Sequence, residues 1–125
     1  MINKSTDGQY NFSKFERITS KKIIENLFHQ GNKIIYPPLD TRFYKDSHED
    51  INKILISVSK SKIKSAVKRN LLKRRIRESY RLNKNILSNT GYSIAFVYIS
   101  SELTSFKIIQ DSLIQVLNKI NVYEN

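Results

Sequence analysis

The chain has 125 residues and carries 22 Lys and Arg against 11 Asp and Glu, which gives a formal net charge of +11 at pH 7. It has no Cys and only three Gly, which excludes disulfides, thiolate metal sites and the glycine-rich loops that cradle nucleotide phosphates. One domain is expected from the length, and the excess of positive charge predicts an anionic partner, most often a nucleic acid.

The polar stretch at residues 1–15 is predicted to be a flexible leader in front of a single domain at residues 16–125. It contains no secretory signal, and no apolar run in the chain approaches the ~20 residues of a membrane helix. We therefore expect a cytoplasmic protein that has no membrane contact.

One helix and two strands are predicted in the N-terminal half. Apolar residues recur at helical spacing over residues 19–30, where the hydroxyl residues at the start can cap a helix and Gly31 can follow its end. Two consecutive prolines then forbid helix, and residues 39–45 fit a strand. Residues 54–58 alternate between apolar and polar side chains, as a half-buried strand does.

The C-terminal half adds a basic helix at residues 65–84, a strand that begins after Gly91, and a last helix capped by Thr104 or Ser105. The last helix carries apolar residues along one side, which can pack on a sheet. This order of elements predicts the α+β class, as a small two-layer sandwich with a mainly antiparallel sheet and three helices.

Nearly all of the excess charge lies between residues 60 and 84. That segment holds eleven of the 22 basic residues and a single acid, Glu78, while the rest of the chain is close to neutral. A charge that served solubility alone would be scattered, so this segment is predicted to be a binding element.

The basic helix is two-sided when its residues are placed at 100° each. Leu72, Ile76 and Ser79 share the side that can pack on the sheet. The opposite side carries four cations and one amide: Asn70, Lys73, Arg74, Arg77 and Arg81. Guanidinium and amide groups suit phosphate and sugar oxygens. A solvated face is the alternative, but such faces mix both signs, and like charges four residues apart destabilise a helix.

The basic helix and the strand before it closely resemble the bacterial ribonuclease P protein subunit. The family signature R-N-x-x-K-R-x-x-R is complete here, as Arg69, Asn70, Lys73, Arg74 and Arg77. Upstream, Arg17-Ile18 followed by Phe28 and Gly31 is similar to the opening of the family sequence. The resemblance covers about residues 16–120.

The resemblance implies a fold, an activity and two partners. The fold is that of the second domain of ribosomal protein S5. The activity is endonucleolytic removal of the 5′ leader from precursor tRNA. The resemblance further implies that the RNA subunit is the catalyst and binds the Mg²⁺ ions, so that the protein supplies no catalytic residue and no metal site. The partners are then the catalytic RNA and the 5′ leader of precursor tRNA.

Two sets of site residues follow from the resemblance. Those expected to bind the catalytic RNA lie on the basic helix: Lys68, Arg69, Asn70, Lys73, Arg74, Arg77 and Arg81. Those expected to border a leader cleft between the first helix and the sheet are Phe28, Arg42, Ser57, Ser59 and Lys60. The chain departs from the family at two cleft positions that are usually aromatic, where it has Ile24 and Arg42.

The acidic residues argue independently against catalysis by this chain. A protein nuclease needs clustered carboxylates or a base with a nucleophile, and the acids here are scattered. Asp46, Glu49 and Asp50 do lie together, but in a predicted polar turn that we interpret as a solvated loop.

Three other functions fit parts of the sequence. A non-catalytic basic RNA-binding protein, such as a ribosomal protein of the same sandwich fold, would share the charge without needing the spaced signature. A DNA regulator would need two helices joined by a short turn, whereas strands border the basic helix. A membrane-surface helix would need a broader apolar face.

Overall fold

The computed structural model describes residues 16–46 and 48–124, and the leader predicted at residues 1–15 lies outside them. The described part contains three helices and four strands. In chain order these are α1 (Lys21–Gln30), β1 (Asn32–Tyr36), β2 (Leu39–Lys45), β3 (Lys53–Val58), α2 (Ala66–Asn83), β4 (Tyr92–Tyr98) and α3 (Phe106–Glu124), with a short 3₁₀ turn (Lys84–Ile86) after α2.

The strands form one sheet in the order β1-β2-β4-β3. The pairs β1–β2 and β2–β4 are antiparallel, and β3 lies parallel to β4. Helix α2 is therefore the crossover between two neighbouring parallel strands, as such pairs require. The predicted α+β class, three helices and mainly antiparallel sheet are confirmed. Strand β1 was not predicted from the sequence.

Side chains alternate across the sheet, so each face has its own apolar cluster. The larger cluster joins one face to α2 and α3 through residues such as Ile54, Phe96 and Leu113. The smaller cluster lies on the other face, where Leu27 of α1 packs against Ala95. The two helices of the larger core thus hold one side of the sheet, and α1 together with Ile18 covers part of the other.

Helix α2 begins where Ser65 accepts a hydrogen bond from the backbone N–H of Lys68 at 3.3 Å. Leu72 and Ile76 are fully buried against the sheet, as the sequence predicted. Tyr80 is buried on the same side, and burial raises its pKa well above the ordinary range.

Helix α1 is capped by Ser20, whose side chain accepts a hydrogen bond from the N–H of Ile23 at 3.3 Å. Gly31 follows the helix as predicted, but it is extended, with φ −70° and ψ 152° rather than left-handed. A Cβ at this position would collide with the carbonyl oxygen of Leu27. Close backbone approach, and not a positive φ, therefore requires the glycine.

We expect Ile76→Ala to lower the free energy of unfolding by about 2–5 kcal/mol, because Ile76 is completely buried between α2 and the sheet. Val67 lies on the same helix and is 79% exposed, so Val67→Ala is the matched control and should change stability by less than about 0.5 kcal/mol. Urea unfolding followed by circular dichroism measures both. Equal losses in the two variants would show that α2 does not pack as described.

Candidate RNA interface

The cationic side of α2 faces away from the sheet. Asn70 and Arg74 are exposed, and Lys73 and Arg77 are half-buried at the border of this side. Leu72 and Ile76 point the other way into the larger core. The predicted two-sided helix is thus present, with its basic side presented as one surface.

Two of the predicted RNA-binding arginines also make contacts within the protein. Arg69 donates to the carbonyl oxygens of Ile63 and Lys64 at 2.8 and 2.9 Å, which fastens the loop in front of α2. Arg81 donates to both carboxylate oxygens of Glu78, at 2.9 and 2.6 Å. This hydrogen-bonded pair lowers the pKa of Glu78 and raises that of Arg81. Both arginines therefore have less donor capacity to offer an outside anion.

The remaining predicted RNA-binding cations of α2 are more available. Among the described residues, Lys68, Lys73 and Arg74 have no hydrogen bond or ion pair with another side chain. The Nε of Arg77 is buried and likewise has no hydrogen-bond partner there. Arg75, on the flank of the helix, has a partner within the protein, because its Nη1 donates to the carbonyl oxygen of Thr104.

The second candidate surface is the sheet face that carries α1. Beyond the row through Tyr44, Ser93 and Lys53, two further rows of side chains cross this face. The row nearer α1 runs through Lys33, Arg42, Ala95 and Leu55, and the next row through Ile35, Asp40, Val97 and Ser57. Helix α1 packs on the first row, where Ala95 is fully buried. Ile35 in the second row is 48% exposed, so this row forms an open floor beside α1.

Phe28 and Arg42 form the wall between α1 and the open floor. Phe28 is 40% exposed, and the Arg42 guanidinium carbon lies 5.6 Å from the centre of its ring. Arg42 also donates to the carbonyl oxygen of Phe28 at 3.5 Å and to Asp40 at 3.4 Å. An aromatic face and a guanidinium plane are thus held together at the edge of a cleft.

The predicted serines lie where the floor meets the loop after β3. Ser57 is on the open row, opposite in orientation to Ile54 and Val58, as the alternation predicted. Ser59 and Lys60 are exposed just beyond the strand. The Ser59 hydroxyl lies 3.0 Å from that of Ser61 and accepts from the N–H of Lys62, so it also shapes the turn.

The two departures from the family pattern have different consequences. Ile24 packs in the smaller core, where it supports α1. Arg42 stays at the cleft, while its neighbour Phe43 is buried on the opposite face. Asp40 is a cleft residue that the sequence analysis missed. The signal was available, because residues two apart in a strand share a face and these two carry opposite charges.

The acidic residues of the predicted polar turn, Asp46, Glu49 and Asp50, lie in a loop whose contacts are local. Asp46 accepts from the N–H of His48 at 2.9 Å, and Glu49 lies 3.2 Å from Nζ of Lys53. Within residues 16–46 and 48–124, no three His, Asp or Glu side chains stand close enough to hold a metal ion. None of the described helices is both long and apolar enough to cross a bilayer.

These features define a small basic α+β domain that presents a cationic helix on one side and a polar cleft on the other. The family model described as Ribonuclease P matches residues 12–121. The ribonuclease P protein component of Porphyromonas gingivalis is 32% identical over 128 residues, which cover 93% of each chain. That of Petrotoga mobilis is 37% identical over 117 residues, 91% of this chain and 92% of the relative.

Solved structures agree with the sequence relatives. The Staphylococcus aureus RNase P protein superposes with a TM-score of 0.74 and 25% identity, over 86% of this chain and 97% of that one. The Thermotoga maritima RNase P protein superposes with a TM-score of 0.72 and 25% identity, over 83% of this chain and 96% of that one. The chain belongs to the ribonuclease P protein family, whose members are components of a tRNA-processing ribonucleoprotein. The RNA contacts of the individual residues above stay predictions.

We expect Phe28→Ala to cost the fold much less than Phe43→Ala does. Phe43 is 2% exposed, and truncation of a buried Phe typically costs about 3–5 kcal/mol. Phe28 keeps 40% of its surface exposed, so its loss should cost less than about half of that. Thermal and urea unfolding of the two variants gives the comparison. A Phe28 variant as unstable as the Phe43 variant would make Phe28 a core residue and remove it from the cleft.

Proposed function

We propose that this chain is the RNA-binding subunit of a ribonuclease P, acting in the endonucleolytic maturation of tRNA 5′ ends. The cationic side of α2 binds the catalytic RNA, and the cleft beside Phe28 holds the 5′ leader of precursor tRNA. The observation that carries the proposal is the separation of the two surfaces, with charge on α2 and an aromatic wall on α1. A cytoplasmic location is part of the same proposal.

The charge distribution supports the assignment of α2 to the larger RNA. Phosphate contacts give affinity and position without reading sequence, and the helix offers such donors along one rigid side. The buried anchors Leu72 and Ile76 fix that side relative to the sheet, so the donors are held in place before RNA binds.

The chemistry of the cleft supports the assignment of the leader. Aromatic rings and guanidinium planes stack on any base, and stacking is worth about 1–3 kcal/mol per base. Phe28 and Arg42 offer both kinds of surface above an open floor. Such a site binds a single strand with little regard to sequence, as a site for the leaders of many different tRNAs must.

We assign hydrolysis, and the Mg²⁺ ions that support it, to the RNA subunit. The protein then acts through binding: its cations lower the repulsion between RNA backbones, and its cleft holds the leader in place.

Binding to the catalytic RNA should depend steeply on salt. If Lys68, Lys73, Arg74 and Arg77 neutralise about four phosphates, log affinity should fall against log salt with a slope of roughly −3 to −4. Arg74→Ala should flatten the slope by up to about one unit. Arg75→Ala is the matched control, because it removes the same charge from the same helix at a guanidinium already held by Thr104. A slope near zero, or equal flattening in both folded variants, would exclude this side as the contact.

The leader cleft should control discrimination between precursor and mature tRNA. Phe28→Ala should reduce the preference for precursor by about five- to a hundredfold, since only the precursor has a leader to stack. Replacement of Lys73 and Arg74 should instead weaken assembly with the catalytic RNA by about tenfold or more for each charged hydrogen bond lost.

The assay combines the chain with a bacterial ribonuclease P RNA and precursor tRNA at low Mg²⁺, and follows cleavage at the mature 5′ end. Protein without RNA, after ribonuclease treatment, is the control and should give no cut. Cleavage by that control would overturn the assignment of hydrolysis to the RNA. Equal loss of assembly in both sets of variants would overturn the separation of the two surfaces.

A further inference from the structure

Asp40 is an acid in the middle of the cleft that is proposed to hold an anionic RNA strand. Among the described residues of the sheet rows on that face, only this side chain is acidic. It lies in the open row between Ile35 and Val97, its partners on the neighbouring strands. A phosphate placed against the carboxylate would be repelled. The part of a bound nucleotide that fits here is therefore the base, whose edge carries hydrogen-bond donors.

The carboxylate of Asp40 has acceptor capacity to offer such a base. Its Oδ1 lies 3.4 Å from Nε of Arg42, and the side chain makes no other hydrogen bond or ion pair within the described residues. A carboxylate can accept about four hydrogen bonds. The side chain is 17% exposed, and its Oδ2 is not among the shielded polar atoms, so a ligand can reach it from the open side of the sheet.

Arg42 offsets the charge of this acid and brings a base close to it. The guanidinium group lies beside Asp40 and also 5.6 Å from the centre of the Phe28 ring. Because the two charges are opposite, an uncharged base can lie against the pair. Asp40 is two residues from Arg42 on the same strand and face, about 7 Å along β2. A base that stacks on the wall formed by Phe28 and Arg42 therefore extends towards the carboxylate.

The four bases differ in what they can donate to a carboxylate. On its Watson–Crick edge guanine has two adjacent donors, N1–H and the N2 amino group, which match the two oxygens of one carboxylate. Adenine and cytosine have one amino group beside a ring nitrogen that accepts. Uracil has a single N–H between two carbonyl oxygens, and both oxygens are repelled by the carboxylate. An accessible Asp thus ranks guanine first and uracil last.

From these contacts we infer that Asp40 is a specificity-determining residue of the cleft. It favours bases with an amino group, and guanine most, at the leader nucleotide that stacks on Phe28 and Arg42, and it disfavours uracil there. The inference rests on the proposed function for its ligand. Stacking supplies affinity for every leader, and Asp40 grades that affinity at one nucleotide.

A walk of one guanosine along the leader locates this nucleotide. The leaders of the precursor tRNAs are uridines except for a guanosine at one position, which differs between substrates. The holoenzyme is assembled from the chain and a bacterial ribonuclease P RNA, and relative kcat/KM is measured on mixtures of competing substrates. At one position guanosine should raise relative kcat/KM about tenfold over uridine, with adenosine and cytidine between them. A walk without a preferred position would overturn the inference.

Variants test whether Asp40 causes the preference. Asp40→Ala should reduce it to less than about twofold, and Asp40→Asn should lower it as well, because the amide replaces one acceptor by a donor that uracil can use. Asp111→Ala is the matched control, since it removes an exposed acid from α3 on the other face of the sheet, and it should leave the preference unchanged. Thermal unfolding verifies that each variant is folded. An equal preference in the folded Asp40 and Asp111 variants contradicts the inference.

Inosine tests the contact at a single group, because it is guanosine without the N2 amino group. At the preferred position, inosine should lower relative kcat/KM about fivefold against guanosine with the unaltered protein, and the two should be equal with Asp40→Ala. A loss of the same size with both proteins would assign the preference to another group and overturn the role of Asp40.

Phe28→Ala separates this inference from the proposed function. If that variant lowers discrimination between precursor and mature tRNA while Asp40→Ala leaves the ranking of bases unchanged, the cleft holds the leader and Asp40 does not select its base. If neither variant changes any measurement that depends on the leader, the assignment of the leader to this cleft fails together with the selectivity.

Discussion

The packing of one side of α2 is the interaction on which the other features depend. Like charges four residues apart cost a helix about 0.2–0.5 kcal/mol per pair, and α2 carries several such pairs. Burial of one Leu or Ile side chain contributes about 1.5–3 kcal/mol, and both Leu72 and Ile76 are completely buried. Packing therefore outweighs the repulsion, and the opposite side of the helix is left to carry cations with a single acid, Glu78. A free helix of this sequence would lack that compensation, so the cationic surface depends on the core.

The cleft has an equally simple origin in the small size of α1. Ten residues make a helix about 15 Å long and about 10–12 Å wide, which cannot cover four strands along their whole length. The helix buries the row through Ala95 and leaves the row through Val97 and Ser57 open. Its end at Gly31 places Phe28 at the border, where the ring packs with Arg42 and stays partly exposed.

The sequence predicted most of the fold and the side of α2 that carries charge, because both are set by local spacing. It did not predict β1, whose five residues include exposed Asn32, Lys33 and Ile35 and owe their conformation to pairing with β2. Nor could the spacing of residues along a helix show which acceptor the end of a long side chain binds. Arg69 and Arg81 were both predicted to bind RNA, yet one binds the loop carbonyls of residues 63 and 64 and the other binds Glu78. Helical periodicity gives the direction of a Cβ, while a guanidinium several bonds further on goes to the nearest acceptor.

The two surfaces proposed to bind RNA depend on different forces. Under that proposal, charge on α2 acts on phosphates through interactions that salt screens over about 8–10 Å, whereas the wall formed by Phe28 acts on bases by contact. A rise in salt therefore acts mainly on the first surface, and loss of the Phe28 ring acts mainly on the second. The sheet between α1 and α2 keeps the two surfaces on opposite faces of one small domain, so each can change without the other.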